Sequence, residues 1–190
     1  MDDQAAISRI KQGDLNGLAT LVRRYQAKGV YAAYMVLEDR SISEEIVQNA
    51  FLKVFDKIHQ FEDGKPFAPW FLRIVVNDAI KAARRRSLLT SLDEEPGDDA
   101  QYLARWMIDP QPLPEEQIVS KEIGQVVQEA LAQLSPEQRA TVVMRYYLEM
   151  SEAEMVRELG KPLSTIKWWL RAARKRLEEL VKPVGPYLGD

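Results

Sequence analysis

Apolar residues recur every three or four positions along most of this chain, which is the spacing that places them on one face of an α-helix. Strict apolar–polar alternation, typical of a half-buried strand, is scarce. The pattern predicts an all-α protein with two small helical domains, residues 1–88 and 113–184, and a short tail, 185–190. Residues 89–112 break the pattern with Asp, Glu, Pro and Gly, so we interpret them as an acidic flexible linker.

The first domain is predicted to hold successive amphipathic helices. Ser41 and Glu44 have the spacing of a capping box and predict a helix over residues 43–58. A loop follows, and Pro69 then suits the first turn of a helix that starts near Trp70. The apolar stripes behind these predictions are Leu15, Leu18, Ala19, Val22 and Tyr25, then Val30, Tyr34 and Leu37, then Val47, Phe51, Val54, Phe55 and Ile58.

The helix over residues 43–58 has an unusual outer face. Opposite its buried stripe the helical spacing aligns a leucine with polar residues, and the face comprises Glu45, Gln48, Asn49, Leu52 and Asp56. An exposed leucine ringed by polar groups is typical of a protein-binding surface. Isolated surface leucines are also common on proteins that do not use them for binding, so the residues alone leave both interpretations open.

The loop over residues 61–69 concentrates aromatic side chains just before a helix that ends in a basic tract, "KAARRR". Aromatic rings that can stack on bases, beside cations that can hold phosphates, are a combination used to bind single-stranded nucleic acid. The alternative is a set of core aromatics, among them Trp70, next to a solvated helix end.

The second domain carries the pattern of a helix-turn-helix. Residues 135–138 have the spacing of a capping box, and so do Ser151 and Glu154, which open a short helix. Gly160 is a suitable C-terminal stop, and a second helix is predicted to start near Ser164. In this motif the second helix enters the major groove of DNA.

A helical wheel gives the two adjacent tryptophans of the last helix different environments. Trp169 lies at the edge of a core face formed by Ile166, Leu170, Ala173, Leu177 and Val181. Trp168 points the other way, amid cations, where it could contact a thymine methyl group, a sugar or a partner protein. The alternative is a solvated basic face with one stray aromatic. The outward residues are Lys167, Trp168, Arg171, Ala172 and Lys175.

Composition narrows the possible functions. The 190 residues include no cysteine and one histidine, His59, so a catalytic thiolate, a disulfide and a metal site are not expected, and neither is a cofactor or any catalytic residue. No apolar run is long enough to insert into a membrane, and no signal peptide is recognisable, which predicts a cytoplasmic protein. The net charge of −3 is unevenly distributed, because residues 89–122 alone carry 9 acidic and 2 basic side chains.

Four segments in this order resemble an extracytoplasmic-function (ECF) sigma factor of bacterial RNA polymerase: "GDLNGLATLVRRY", "SEEIVQNAFLKVF", "PFAPWFLRIVVNDAIKAARRR" and "LAQLSPEQRATVVMRYYLEMSEAEMVRELGKPLSTIKWWLRAARKRL". The resemblance implies that residues 1–88 are sigma region 2 and that residues 113–184 are region 4. Core RNA polymerase and promoter DNA would then be the partners. An anti-sigma factor that covers the same surfaces is a further expected partner.

The resemblance also implies roles for individual residues. The outer face that holds Leu52 would dock on the β′ clamp helices, and region 4 would contact the β flap. A base flipped out of the minus-ten element would enter a pocket at the loop 61–69, and the expected contacts are Phe61, Asp63, Lys65, Phe67, Asn77, Arg84 and Arg85. The expected contacts to the minus-thirty-five element are Thr165, Lys167, Trp168, Arg171, Ala172 and Lys175.

The sequence departs from the family pattern on both its expected DNA-facing and its expected polymerase-facing surface. Relatives commonly have Gly-Thr-Val-Lys-Ser-Arg-Leu where residues 164–170 are Ser-Thr-Ile-Lys-Trp-Trp-Leu, and Asn49 stands where an acid is usual. We therefore expect the role but not the promoter sequence of the relatives. In relatives the linker threads through polymerase toward its RNA channel. The acidic linker of this chain could mimic nucleic-acid phosphates there. The alternative is a disordered tether that only joins the two domains.

Two other function classes are compatible with parts of the sequence. A two-domain transcriptional regulator would bind duplex DNA through the same helix-turn-helix without polymerase. A helical enzyme would need a positioned set of catalytic groups, and the sequence offers no such set.

Overall fold

The computed structural model describes residues 2–89 and 128–181, and every regular element within those ranges is helical. The predicted all-α class is therefore confirmed. The chain divides into two compact units, Met1–Ala82 and Ala83–Asp190. The predicted tail, and the predicted linker beyond its first residue, lie outside the described residues. Ile118, Ile123, Val126 and Val127 also lie outside them; their apolar spacing predicts a first helix of the second domain.

Four helices and one short turn build the first unit, and the fourth helix continues past Ala82 to Leu89. Helix α2 packs against both α1 and α3, and the short turn follows α3 directly. The elements are α1 (Asp3–Lys11), α2 (Leu15–Leu37), α3 (Arg40–Lys57), a 3₁₀ turn (Ile58–Gln60) and α4 (Phe67–Leu89).

Helix α1 has no counterpart among the predicted elements. The Asp2 side chain caps it by accepting a hydrogen bond from the Ala5 amide at 2.7 Å. Ala6, Ile7 and Ile10 are almost fully buried against the rest of the unit. Contact with α2 is so close that a Cβ atom at Gly17 would lie 2.4 Å from the Ala6 carbonyl oxygen, so this position excludes every side chain.

A carboxylate at the start of α1 fastens that helix to α2. Asp3 accepts hydrogen bonds from the Arg24 guanidinium and from the Tyr25 hydroxyl. Burial, reinforced by the hydrogen bond to Asp3, raises the pKa of Tyr25 to about 12 from an ordinary value of 10.0. The folded protein therefore holds the Tyr25 proton at a pH at which the unfolded chain releases it.

We expect the contribution of Tyr25 to stability to be complete below pH 10 and to be lost as the pH rises to about 12. The loss arises because deprotonation favours the unfolded chain throughout that window. Urea unfolding followed by circular dichroism between pH 8 and pH 11.5 measures it. Tyr25→Phe should lower stability at pH 8 and flatten part of the alkaline decline. An equally steep decline in that variant would assign the effect to other groups.

Three boundaries in the first unit correct the predictions. Helix α2 is one element, and it buries Leu21 and Tyr25 while Leu15 and Ala19 are exposed, because α1 packs against the side that carries Gly17. Helix α3 is capped by Asp39, which accepts from the Ile42 amide at 3.0 Å, so the capping box predicted at Ser41 and Glu44 is wrong. Helix α4 begins at Phe67 rather than near Trp70.

The second unit follows the predicted pattern closely. Both capping boxes are present, at Ser135 with Gln138 and at Ser151 with Glu154, and Gly160 ends its helix with a φ of 61°. Ile166 and Ala173 face the core and are fully buried. The described elements are a helical stretch (128–132), α5 (Pro136–Val142), a π-helical turn (Val143–Tyr147), α6 (Glu152–Leu159) and α7 (Leu163–Val181). Both α5 and α6 pack on α7.

Candidate polymerase and nucleic-acid interfaces

The outer face of α3 is open to solvent. Leu52 is 62% exposed, whereas the opposite face of the helix is anchored in the core, where Phe51 stacks on Phe71 with ring centroids 4.4 Å apart. Phe55, predicted to be buried, is only partly so. A rigid helix therefore presents an apolar side chain within a polar surround, and all five members of this face are exposed: Glu45, Gln48, Asn49, Leu52 and Asp56.

The aromatic residues of the loop and of α4 form a core cluster. Phe67 stacks on Phe71 at 5.7 Å, and Phe61 meets the edge of Trp70 at 5.2 Å. Phe61 is 4% exposed and Phe67 is 1% exposed. Neither ring leaves a face open for a base to stack on in this structure. The DNA contacts expected of Phe61 and Phe67 stay predictions.

The centre of the loop is a solvent-exposed segment on top of that cluster. Residues 62–66 are all exposed, including the two expected minus-ten contacts Asp63 and Lys65. Gly64 adopts a φ of 82°, a left-handed conformation that lets the chain turn there. The loop thus presents main chain and polar side chains rather than aromatic rings.

The other expected minus-ten contacts lie farther along α4. Asn77 and Arg84 are two helical turns apart and therefore share a face, where both are partly buried, while Arg85 is exposed. Lys53 of α3 forms an ion pair with Asp78 at 2.7 Å, which ties this part of α4 to the helix that presents Leu52.

In the second unit α6, the turn at residues 160–162 and α7 form the predicted helix-turn-helix. Trp168 is 62% exposed, while Trp169 is partly buried, as the wheel predicts. Lys167 lies 3.7 Å from a carboxylate oxygen of Glu152 on α6. Of the remaining expected contacts, Arg171 and Lys175 are exposed and Thr165 and Ala172 are partly buried.

Two other arginines of α7 serve the domain itself. Arg174 donates to the Tyr146 hydroxyl at 2.9 Å, and Arg176 donates to the Gln133 side chain at 2.6 Å. These bonds brace α7 against the elements that precede it. The helical wheel leaves both arginines out of the outward face, but it does not show which residues of the preceding elements they bond.

Within residues 2–89 and 128–181, no group of three or more His, Asp or Glu side chains could hold a metal ion. None of the helices described is both long and apolar enough to cross a membrane.

Comparison with known families matches both units. The family description "Sigma-70 region 2" matches residues 21–88, and "Sigma-70, region 4" matches residues 124–177. The "ECF RNA polymerase sigma factor SigW" of Bacillus subtilis is 27% identical over 177 residues, which cover 93% of this chain and 95% of that protein. The "ECF RNA polymerase sigma-E factor" of Haemophilus influenzae is 25% identical over 193 residues, which cover 97% of each.

The fold also resembles that of solved structures. The sigma factor RpoE in complex with the anti-sigma factor NepR from Bartonella quintana aligns over 86% of this chain and 96% of its own, with a TM-score of 0.55 and 21% identity. CnrH in complex with the cytosolic domain of CnrY aligns over 95% of this chain and 97% of its own, with a TM-score of 0.55 and 20% identity. With both sigma regions matched in the predicted order, the chain belongs to the ECF sigma factors, the alternative sigma factors that direct transcription initiation by bacterial RNA polymerase.

Proposed function

We propose that this sigma factor docks on core RNA polymerase through the outer face of α3 and uses the exposed loop 62–66, α4 and α7 to select promoters. It acts by binding, with no catalytic step of its own. The observation that carries the proposal is Leu52, a 62% exposed apolar side chain ringed by polar residues on a helix anchored in the core. Such an arrangement suits an interface that has an apolar centre and a polar rim.

We assign recognition of the minus-ten element to the loop 62–66 and α4. Flipping a base out of the duplex costs a few kcal/mol, and binding the extruded base has to offset that cost. Because Phe61 and Phe67 are buried, the extruded base would be bound by the exposed main chain of the loop together with Asp63 and Lys65. Arg85, which is exposed on α4, would hold the phosphates of the separated strand.

The minus-thirty-five element is assigned to α7. Its outward side presents an aromatic ring and three cations, Lys167, Arg171 and Lys175, which suit a sequence-dependent apolar contact surrounded by phosphate contacts. The ion pair between Lys167 and Glu152 is exposed on both sides and is easily exchanged for a phosphate.

An anti-sigma factor is a natural regulator of these surfaces. The faces that carry Leu52 and Trp168 are both open in the isolated chain, and one protein with this fold was solved in complex with an anti-sigma factor. We place the protein in the cytoplasm, where polymerase and promoter DNA are found.

Mixing the purified chain with core RNA polymerase tests the proposal. We expect a stable complex and strand separation at a subset of promoters only when both components are present, detected by permanganate footprinting. Core polymerase alone is the matched control. Tight, sequence-specific binding to duplex DNA without polymerase, together with no complex in its presence, would favour a free-standing regulator instead.

A further inference from the structure

The exposed loop is held from a part of the chain that is distant in sequence. Lys11 of α1 donates to the Phe61 carbonyl oxygen at 3.2 Å and to an Asp63 carboxylate oxygen at 2.7 Å. Gln4 of α1 donates to the Lys65 carbonyl oxygen at 3.1 Å and accepts from the Gly64 amide at 3.4 Å. Four hydrogen bonds thus attach α1 to residues 61, 63, 64 and 65 of the loop.

Three of these four bonds engage the main chain of the loop. They therefore constrain the loop's backbone path whatever its side chains do. The loop turns at Gly64, which has a left-handed conformation. Glycine loses more conformational entropy on ordering than any other residue, so bonds that hold the backbone are needed there to offset this cost. Gln4 and Lys11 can act together because residues seven apart lie on the same face of a helix.

Helix α1 is a firm base for these contacts. Its apolar side is buried, Gly17 allows it to approach α2 closely, and Asp3 bonds to Arg24 and Tyr25 on α2. Because α1 is fixed in this way, a side chain on it restrains the loop residues to which it bonds. The Lys11 side chain is only 23% exposed, and its ammonium group is occupied by Phe61 and Asp63.

We propose that Gln4 and Lys11 are positioning residues for base selection: α1 sets the shape of the loop that receives the flipped minus-ten base without contacting DNA itself. This inference rests on the proposed function of the loop. The competing role for Lys11, a direct contact to a DNA phosphate, makes a different prediction, since a phosphate contact carries no sequence information.

The test compares Gln4→Ala and Lys11→Met with the matched controls Gln12→Ala and Lys28→Met, whose exposed side chains on the same unit make none of these four bonds. Holoenzyme made with each variant is supplied with promoters that carry each of the four bases at the minus-ten positions, and open complexes are counted. We expect the preference for the best base to fall about three- to tenfold in both test variants, the effect of one lost hydrogen-bonding side chain. Lys11→Arg, which keeps the charge and the donors, should retain most of the preference.

Other outcomes would overturn the inference. A loss that is uniform over all four bases, together with a shallower salt dependence, would make Lys11 a phosphate ligand. A lower unfolding temperature or weaker polymerase binding with base preference intact would make both residues merely structural. If the unaltered protein opens no promoter with polymerase, the proposed function itself fails, and this inference fails with it.

Discussion

Leu52→Asp should weaken binding to core RNA polymerase by at least about thirtyfold, the loss expected when an anchoring side chain at the centre of an interface is replaced. The new carboxylate would have to be buried without a partner, and Asp56 lies one helical turn away and would repel it. Because Leu52 is 62% exposed, the fold should be retained. Competition for fluorescently labelled sigma factor measures the affinity, and circular dichroism checks the fold.

Leu15 provides the matched control. It is also 62% exposed, but it begins α2 and lies outside the proposed docking face. Leu15→Asp should leave polymerase affinity unchanged, and an acid in the first turn suits a helix N-terminus. An equal loss of polymerase affinity in the two variants, or no loss in Leu52→Asp, would contradict the proposed docking face on α3.

Trp168→Ala is expected to lower transcription from promoters that depend on the minus-thirty-five element by roughly tenfold, within the range of about 1–3 kcal/mol for one specific base contact. Polymerase binding should not change, because Trp168 lies on the side of α7 proposed to face DNA and the proposed docking face is on α3. The unfolding temperature should also hold, since Trp168 is 62% exposed and the core of α7 is formed by Ile166 and Ala173. Single-round transcription from promoters with and without that element measures the effect.

Substitutions at two neighbours of Trp168 provide comparisons with different expected effects. Trp169→Ala should lower the unfolding temperature, because that ring is partly buried. Lys167→Ala should weaken binding to all minus-thirty-five sequences alike and should reduce the salt dependence of that DNA binding, as loss of a phosphate contact does. If Trp168→Ala reduced transcription equally from promoters that lack the element, the outward face of α7 would be misassigned.

Local signals in the sequence were sufficient for the starts of α5 and α6 and for the end of α6. A capping box couples a side chain to a main-chain amide only three residues away, so both boxes could be predicted without knowledge of the tertiary structure. The same holds for Gly160, whose positive φ ends α6. The wheel separated Trp168 from Trp169 because buried neighbours on one helix repeat with its period.

Long-range packing decided what the sequence could not show. Gly17 gave no signal in the hydrophobic pattern, yet it is the point at which α1 meets α2, and this contact shifts the buried face of α2 away from Leu15. The rings of Phe61 and Phe67 could equally have faced solvent or the core. Their burial follows from contacts with Tyr25 on α2 and with Trp70 and Phe71 on α4.

The close contact at Gly17 also bears on how the domain can be dissected. A fragment cut at residue 21, where the match to sigma region 2 begins, would lack α1 and the first turns of α2. The core side chains that α1 covers would then face water, and the fragment would be prone to self-association. Promoter-recognition assays on such a truncated piece would report on a damaged domain, so residues 2–20 belong in any minimal unit.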